Sequence, residues 1–482
     1  MKSVKFNLIM NFILTASNFL FPLVTFPYVS RILGAAGNGK ISFIASVASY
    51  FSMIAALGIP TYGIRACAAV RDDKEKLSKT AQELIFIHAF MTVVSLSFFF
   101  LAMFGVERLH QEEELMIING ISLFLNVLGV NWLYSALEQY QYITTRSIFF
   151  KIVSIFLMFA LVHKEGDYIL YGAITVFAAA GSNVLNFINL RKHIFLKTYK
   201  EYNLKQHIKP ILVFFAQSVA ITVYTNLDTV MLGFMKNDSE VGLYAAAVKV
   251  KNILTSLVTS LGTVLLPRLS YFIHNNRLDE FKKMIHTAVE FVLMISLPLT
   301  FYFVVMAEES ILLLSGKGYV DATLAMQIIV PTIIFVGLSN VTGIQFLTPL
   351  NKERYVLYSV IVGAVVDLIL NAIFIPGMGA AGAALGTLIA EISVLLVQMC
   401  FIKREFSYNI FVIDEILRVT IVNIISGLVL IILKCMIDLP VFWELVITCI
   451  MFFVVFLIAC LWAKIQIVQD ILRKILRRFS IR

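Results

Sequence analysis

Stretches of about 20 apolar residues recur from one end of the chain to the other, and each can cross a hydrocarbon layer of about 30 Å as a helix. Only 14% of the 482 residues are charged, whereas soluble domains carry roughly 25%. The apolar stretches predict an all-α integral membrane protein with about 14 transmembrane helices. We place these at 6–31, 39–61, 82–105, 115–137, 147–163, 168–190, 210–235, 241–267, 284–306, 325–349, 356–376, 381–402, 416–437 and 441–463.

The distribution of basic residues predicts the orientation of these helices. An even number of spans places both termini on one side, and 30 of the 39 lysines and arginines lie on that side. Cytoplasmic loops carry an excess of Lys and Arg, so we expect both termini in the cytoplasm, in a bacterial-type cytoplasmic membrane. Topology therefore explains the net charge of +9, and nucleic-acid binding is not needed.

Similar residues recur in the same order about 200–215 positions apart. Gly39 and Gly242, and Arg65 and Arg268, are each 203 residues apart, at the two ends of predicted helices. Six helices separate equivalent positions, so we expect parallel repeats, which are typical of transporters. The predicted divisions are a six-helix lobe at 1–205, a second at 206–405, two further helices at 406–463, and a basic amphipathic tail at 464–482 that lies on the inner leaflet.

Soluble-type catalytic motifs are absent from the sequence. It has no GxxxxGK[ST], GxSxG or HExxH pattern. The five cysteines have no CxxC spacing, so we expect neither a metal site nor a disulfide framework. We therefore expect a transporter without a cofactor. A membrane glycosyltransferase stays open, because such enzymes need few loop residues, although every loop predicted on the outer side is short.

Charged residues inside the spans are the main functional candidates, because each costs roughly 2.5–3.5 kcal/mol at the bilayer centre and usually faces a cavity or a partner. They are Asp228, Lys249, Lys251, Glu290, Asp367 and Glu391. Asp228 and Lys249 are predicted at similar depths, so they could form an ion pair or serve the substrate. Because Lys251 lies about 200° around the helix from Lys249, one carboxylate cannot easily serve both lysines.

Four arginines lie at predicted helix ends: Arg31, Arg65, Arg146 and Arg268. Such residues ordinarily extend toward the lipid headgroups. The alternative is a basic vestibule that attracts a pyrophosphate, which we consider best supported for Arg65 and Arg268 because they recur in both lobes. Glu138, at the cytoplasmic end of the fourth span, could pair with a basic loop residue or act as a gate.

Helix-breaking residues cluster in the first two spans and are candidate hinges. They are Pro22, Pro27, Gly58, Pro60 and Gly63. Proline and glycine interrupt regular hydrogen bonding, which is typical of bending or cavity-lining segments. Both residues are also common in membrane helices, so each position alone is weak evidence.

Several long segments resemble a known transporter family. They are FPLVTFPYVSRILGAAGNGKISF, YFSMIAALGIPTYGIR, NWLYSALEQYQYITTRS, NLDTVMLGF, VGLYAAAVKVKNIL and LLPRLS, in this order. They resemble the flippases that move undecaprenyl-pyrophosphate-linked O-antigen or capsule repeat units. These proteins belong to the multidrug, oligosaccharidyl-lipid and polysaccharide exporter superfamily.

This resemblance implies two pseudo-symmetric six-helix lobes around a central cationic cavity, and alternating access. The expected partners are a lipid-linked oligosaccharide and membrane lipids, with a polysaccharide polymerase and chain-length machinery as further candidates. The charged positions within the resemblance are Arg31, Arg65, Glu138, Arg146, Asp228, Lys249, Lys251 and Arg268.

Three other functions stay open at the level of sequence. A cation-coupled drug exporter of the same superfamily would use Asp228, Asp367 or Glu391 for coupling. A polysaccharide polymerase or glycosyltransferase would form glycosidic bonds. A flippase for the peptidoglycan precursor would carry a chemically similar substrate.

Overall fold

A computed structural model of the chain describes residues 4–406, 413–437, 439–465 and 468–469. Helices and turns account for the ordered elements there, and these residues contain no β-strand. Thirteen segments within them are long and apolar enough to cross a membrane. The longest, Ile9–Ala69, contains two crossings, so the predicted all-α fold with about 14 transmembrane helices is confirmed.

The first compact unit comprises Met1–Gly242. Its helices are α1 (Val4–Ala56), α2 (Ile59–Ala69), α3 (Lys74–Gly105), α4 (Glu107–His110), α5 (Glu113–Gly129), α6 (Asn131–Ala136), α7 (Tyr140–Leu161), α8 (Tyr168–Val176), α9 (Asn183–Asn189), α10 (Lys205–Met235) and the start of α11 (Asp238–His274). A buried hydrophobic cluster of this unit includes Leu84, Trp132 and Tyr134.

The second compact unit comprises Leu243–Arg482. After the rest of α11 it contains α12 (Leu278–Val305), α13 (Ala307–Ser315), α14 (Ala322–Ile329), α15 (Thr332–Asn340), α16 (Glu353–Met378), α17 (Ala380–Phe406), α18 (Ile413–Met436) and α19 (Val441–Trp462). Its core contains Phe281, Val292 and Phe346. The lobe boundary at residue 205, which was placed from the sequence repeat, stays a prediction. Most of the predicted amphipathic tail at 464–482 lies outside the described residues.

Helix α1 is too long for a single crossing, because its 53 residues would span about 80 Å if straight. Gly34 divides it, with φ 66° and ψ −177°, a backbone conformation that is essentially limited to glycine. A second break follows at Leu57 and Gly58, which have φ 45° and 75°. The predicted hinge residue Gly58 therefore lies between α1 and α2, and the predicted hinge Pro60 lies in the first turn of α2.

Several helices extend further than hydropathy predicted. Helix α3 begins at Lys74 rather than 82, because the Asp73 side chain caps it by accepting the backbone N–H groups of Glu75 and Lys76. These hydrogen bonds hold the pKa of Asp73 below its usual value. Helix α7 begins at Tyr140 rather than 147, and α11 continues to His274 rather than 267. The added turns are polar, so they did not resemble membrane segments.

Two glycines that are equivalent in the repeat meet at one close crossing within the first unit. A Cβ at Gly39 would overlap the carbonyl oxygen of Asp238, and a Cβ at Gly242 would overlap that of Ala35. Ala35 and Asp238 are themselves 203 residues apart. Adding 203 to the residue numbers on one side of the contact gives the residues on the other side. This is expected where two helices are related by pseudo-symmetry.

We predict that alanine at either break destabilises the protein. Gly34→Ala places a side chain in a backbone region that costs about 1–3 kcal/mol. Gly58→Ala adds a Cβ that would lie 2.5 Å from the backbone nitrogen of Phe215. Both variants should lower the thermal unfolding midpoint of the purified protein in detergent. The control is Gly377→Ala in α16, where a Cβ meets nothing within 4 Å; equal midpoints for all three variants would contradict the prediction.

Candidate functional site

In the second unit, α11 presents a polar face through its membrane-spanning part. Lys249 and Lys251 lie at the two edges of this face, about 160° apart, with Asn252, Thr255 and Ser256 between them. All five are at least partly exposed. The other side of the helix carries the buried residues Ala247, Val250, Leu254 and Val258. A lysine-bearing face of this kind is too costly to expose to lipid, so it is typical of a helix that borders water or a polar ligand.

The hydroxyl groups of this polar face are satisfied by their own helix. Thr255 donates to the carbonyl oxygen of Lys251 at 2.8 Å, and Thr259 donates to that of Thr255 at 2.9 Å. Among the described residues, no carboxylate oxygen lies within 4.0 Å of the Lys251 ammonium nitrogen. The predicted Asp228–Lys249 ion pair stays a prediction; Asp228 itself is buried in α10 of the first unit.

Lys151 is a membrane-embedded lysine in the first unit that sequence reasoning missed. Because α7 begins at Tyr140, Lys151 lies about 16 Å from either end of the helix. Its ammonium group donates to Ser17 Oγ at 2.8 Å and to Asn18 Oδ1, both near the middle of the first half of α1. These partners are neutral, and no carboxylate in the described part of the protein lies within 4.0 Å of this ammonium nitrogen, so no ion pair balances its charge there.

The direction of Lys151 follows from the exposure of its neighbours along α7. The most exposed apolar residues are Phe149, Ile152, Phe156 and Phe159. Lys151 lies about 200° around the helix from Phe149. It shares its side with Ser154 and Met158, which are fully buried. Lys151 therefore points away from the face that contacts lipid.

Arg146 lies inside a network of asparagines in the first unit. Its side chain is 8% exposed, and it donates to the carbonyl oxygen of Ser182 at 3.1 Å and to Asn131 Oδ1 at 2.9 Å. Asn186 also donates to Asn131 Oδ1, at 2.9 Å, and to the carbonyl oxygen of Gly129. The sequence placed Arg146 at a helix end, whereas the structure places it inside α7, where it links α6, α7 and the start of α9.

The other candidate arginines are exposed. The Arg31 side chain folds back to the carbonyl oxygen of Pro27. Arg65 is exposed on α2. Arg268 lies over the ring of Phe272 at 5.7 Å, within α11 rather than at its end. Glu138 forms an ion pair with Arg71 at 2.7 Å, which is the pairing alternative considered from the sequence.

The remaining predicted hinge residues pack closely in the first unit. A Cβ at Gly63 would lie 2.8 Å from the ring of Trp132, so α2 and α6 approach through this glycine. Pro22 and Pro27 lie within α1 and do not end it. Whether these positions bend during transport stays a prediction.

Buried acidic residues of the second unit lie on α16 and α17. Asp367 and Asn371 are one turn apart on α16 and almost fully buried. A Cβ at Gly386 of α17 would lie 3.3 Å from Asp367 Oδ1, so the two helices approach closely there. Glu391 is buried five residues further along α17, and Tyr244 hydrogen-bonds Thr387 at 3.1 Å. No group of three or more metal-ligating residues occurs among the described residues.

Two protein-family models match this chain. The model of the family "Polysaccharide biosynthesis protein" matches residues 4–273, more than half of the chain. The chain belongs to this family. A second family model, MatE, matches residues 214–373. The resemblance stated from the sequence motifs is therefore confirmed at the level of the family and superfamily.

Relatives of this family member match different shares of its length. The "Putative O-antigen transporter" of Escherichia coli (strain K12) is 25% identical over 415 residues, which are 84% of this chain and 97% of that protein. "Lipid II flippase MurJ" of Bacillus subtilis (strain 168) is 25% identical over 205 residues, 40% of this chain and 37% of that protein.

Two solved structures show the same fold. "Lipid II flippase MurJ, inward closed conformation" has a TM-score of 0.76 at 17% identity, with 98% of this chain and all of that chain covered. An inward-facing multidrug resistance MATE family transporter of the MOP superfamily has a TM-score of 0.63 at 13% identity, covering 80% of this chain and 94% of that one. The fold is thus that of MurJ and MATE transporters.

We predict that Arg146→Lys destabilises the protein although it keeps the charge. Lysine lacks the planar pair of nitrogens with which Arg146 serves Ser182 and Asn131 at once, so we expect the loss of one hydrogen bond to a charged group, about 1.5–3 kcal/mol. The thermal midpoint in detergent should fall by several degrees. The matched control is Arg65→Lys, at an exposed arginine. If both variants unfold at the wild-type temperature, Arg146 has no structural role.

Proposed function

We propose that this protein is a flippase for undecaprenyl-pyrophosphate-linked oligosaccharide repeat units of the O-antigen or capsule type. It carries them from the inner to the outer leaflet of the bacterial cytoplasmic membrane by alternating access. Family membership and the names of its relatives support the class of substrate. The observation that carries the proposal is the polar face of α11 with Lys249 and Lys251.

The sign of the charges within the spans supports an anionic substrate. Lys151 and Lys251 have no carboxylate within ion-pair distance among the described residues. Each costs roughly 2.5–3.5 kcal/mol at the centre of a bilayer. A pyrophosphate that passes these groups offsets that cost, because ammonium and phosphate form charge-assisted hydrogen bonds.

The membrane potential favours the proposed direction. An anion that leaves a cell with a negative interior gains about 2.3 kcal/mol per charge per 100 mV. A doubly charged pyrophosphate gains about twice that amount. Both termini are cytoplasmic in this proposal, so that the basic loops face the leaflet where the substrate is made. A polysaccharide polymerase and chain-length machinery would then receive the product.

We predict that the double variant Lys249→Gln/Lys251→Gln abolishes export of surface polysaccharide. Lys151→Gln should lower it by about tenfold or more, since a hydrogen bond to a charged group contributes about 1.5–3 kcal/mol. Surface polysaccharide and accumulated lipid-linked sugar are measured in a deletion strain that expresses each variant. Membrane-inserted protein is quantified in parallel.

The matched control is Lys317→Gln, which removes the same charge from an exposed turn outside the spans. It should leave export unchanged. Wild-type export by a normally inserted Lys249→Gln/Lys251→Gln protein would rule out this role of the lysines. The deletion strain could instead show a growth defect that does not depend on surface polysaccharide. If a known peptidoglycan-precursor flippase reverses that defect, the substrate is the peptidoglycan precursor.

A cation-coupled multidrug exporter is a second candidate function, favoured by buried Asp367 and Glu391 and by the MatE match. We predict that the wild-type protein does not reduce the accumulation of cationic dyes in a strain that lacks its own exporters, because lysines on α11 repel cations. Dye efflux that Asp367→Asn abolishes would favour the exporter. New glycosidic bonds formed by the purified protein in vesicles would instead favour a polymerase.

A further inference from the structure

Three polar side chains form a continuous hydrogen-bonded chain inside the first unit. The Tyr62 hydroxyl of α2 lies 2.9 Å from His207 Nδ1 at the start of α10. His207 Nε2 lies 2.9 Å from Glu83 Oε2 on α3. The side chains of His207 and Glu83 are only 5% and 1% exposed. Neither residue stands out in the sequence, because each lies at the edge of a predicted span.

The environment of Glu83 fits an ionised carboxylate. The backbone N–H of Asn203 donates to Oε1 at 2.7 Å, and the Gln206 side-chain amide donates to Oε2 at 3.0 Å. His207 approaches the same Oε2. An ionised carboxylate only accepts hydrogen bonds. The Asn203 N–H and the Gln206 amide nitrogen both donate to it. Burial of the charge is thereby offset by hydrogen bonds.

His207 can hold one proton or two with the same neighbours. When neutral, it donates from Nε2 to Glu83 and accepts the Tyr62 hydroxyl proton at Nδ1. When protonated, it donates from both nitrogens, and the Tyr62 oxygen accepts. The change alters the charge of the three-residue network from −1 to 0 and keeps the same hydrogen-bond partners. Histidine is the side chain whose ordinary pKa permits this near neutral pH.

Several ionisable groups lie near Tyr62, His207 and Glu83 in the structure or along their helices. On α2, the Arg65 guanidinium and the Cys67 thiol interact electrostatically with Tyr62. Lys79 precedes Glu83 by one turn on α3, and Lys205 and Lys209 flank His207 on α10. Apart from Glu83 itself, these neighbours carry no negative charge near neutral pH. Glu83 is therefore the group that favours a proton on His207.

The chain joins the helix break at Gly58 to the start of α10. Tyr62 lies four residues after Gly58, at the beginning of α2. A Cβ at Gly58 would lie 2.9 Å or less from the backbone of Ile211, Phe214 and Phe215 on α10. The first turns of α10 thus hold both the break and the hydrogen-bonded chain. A proton on His207 turns one neutral hydrogen bond of this junction into a charge-assisted one, which is roughly twice as strong.

We propose that Tyr62, His207 and Glu83 form a proton-binding site that couples proton binding to movement of the α1–α2 break against α10. Proton uptake at His207 tightens the junction of α2, α3 and α10, and proton release loosens it. The coupling half of this inference rests on the proposed flippase function. The proton-binding half does not, and it is measured without any substrate.

The first experiment follows the ring nitrogens of 15N-histidine-labelled full-length protein in detergent by NMR as a function of pH. The His207 signals are those lost in His207→Gln. We expect His207 to titrate, and Glu83→Gln to lower its proton affinity by about tenfold or more, because an adjacent carboxylate shifts such groups by 1–3 pH units. Tyr62→Phe should leave the neutral ring protonated at Nε2, which donates to Glu83, and should shift mainly the Nδ1 signal, since Nδ1 loses its donor.

The same spectra contain a control pair. His110 is exposed and lies 3.9 Å from exposed Glu113. Glu113→Gln should hardly shift the His110 titration, because solvent screens this pair. The proposal is overturned if His207 does not titrate between about pH 5 and 9, or if Glu83→Gln moves it no more than Glu113→Gln moves His110.

The second experiment measures transport of a fluorescent undecaprenyl-pyrophosphate oligosaccharide by the protein in proteoliposomes at several pH values. We expect the wild-type rate to follow the His207 titration and the His207→Gln rate to be independent of pH. His110→Gln should keep the wild-type profile. If His207 titrates but the His207→Gln variant keeps the wild-type dependence of transport rate on pH, the coupling is overturned. If the wild-type protein does not transport this substrate at all, the proposed function is contradicted, and the proton-binding site measured by NMR still stands.

Discussion

Lipid cannot satisfy polar groups, so every charge and hydrogen-bonding group within these spans needs a partner supplied by the protein or by its substrate. Arg146 meets this constraint through Ser182 and Asn131, and Glu83 meets it through Asn203, Gln206 and His207. Lys151 and Lys251 meet it only in part, because no carboxylate balances their charge among the described residues. That difference separates polar groups that stabilise the fold from those available to the anionic substrate proposed above.

The same constraint explains where helices end and bend. A break in a spanning helix frees backbone groups, so the breaks occur at residues whose surroundings can satisfy them. Val130, with φ 35°, separates α5 from α6, and Asn186 binds the carbonyl oxygen of Gly129 beside it. Gly34 and Gly58 divide the first long apolar segment into two crossings and a short helix. The breaks at Gly58 and Val130 thus lie beside the buried hydrogen-bonded groups of the first unit.

Hydropathy was sufficient to predict the spans, because burial in lipid requires long apolar stretches and little else. It was insufficient at their ends, where polar turns continue the helix inside the protein. The predicted span 147–163 therefore put Arg146 at a helix end and Lys151 close to the start of the span, although both lie well inside α7. Glu83 and His207 were missed for the same reason. A helical-face analysis of residues 249–259 could have found the polar side of α11, but the partners of Lys151 depend on packing against α1, which sequence spacing does not show.

The two units use the same internal contact with different chemistry. In the first unit Asn186 binds the backbone at Gly129, and in the second Gln398 is bound by Thr342 and donates to Ser359 at 3.0 Å. Gly129 and Thr342 are 213 residues apart, and so are Arg146 and Ser359. The repeat therefore preserves an amide that joins three segments, while a guanidinium occupies the position of a neutral hydroxyl. Because only the first unit carries a charge at this position, the two repeats share a framework there and differ in electrostatics.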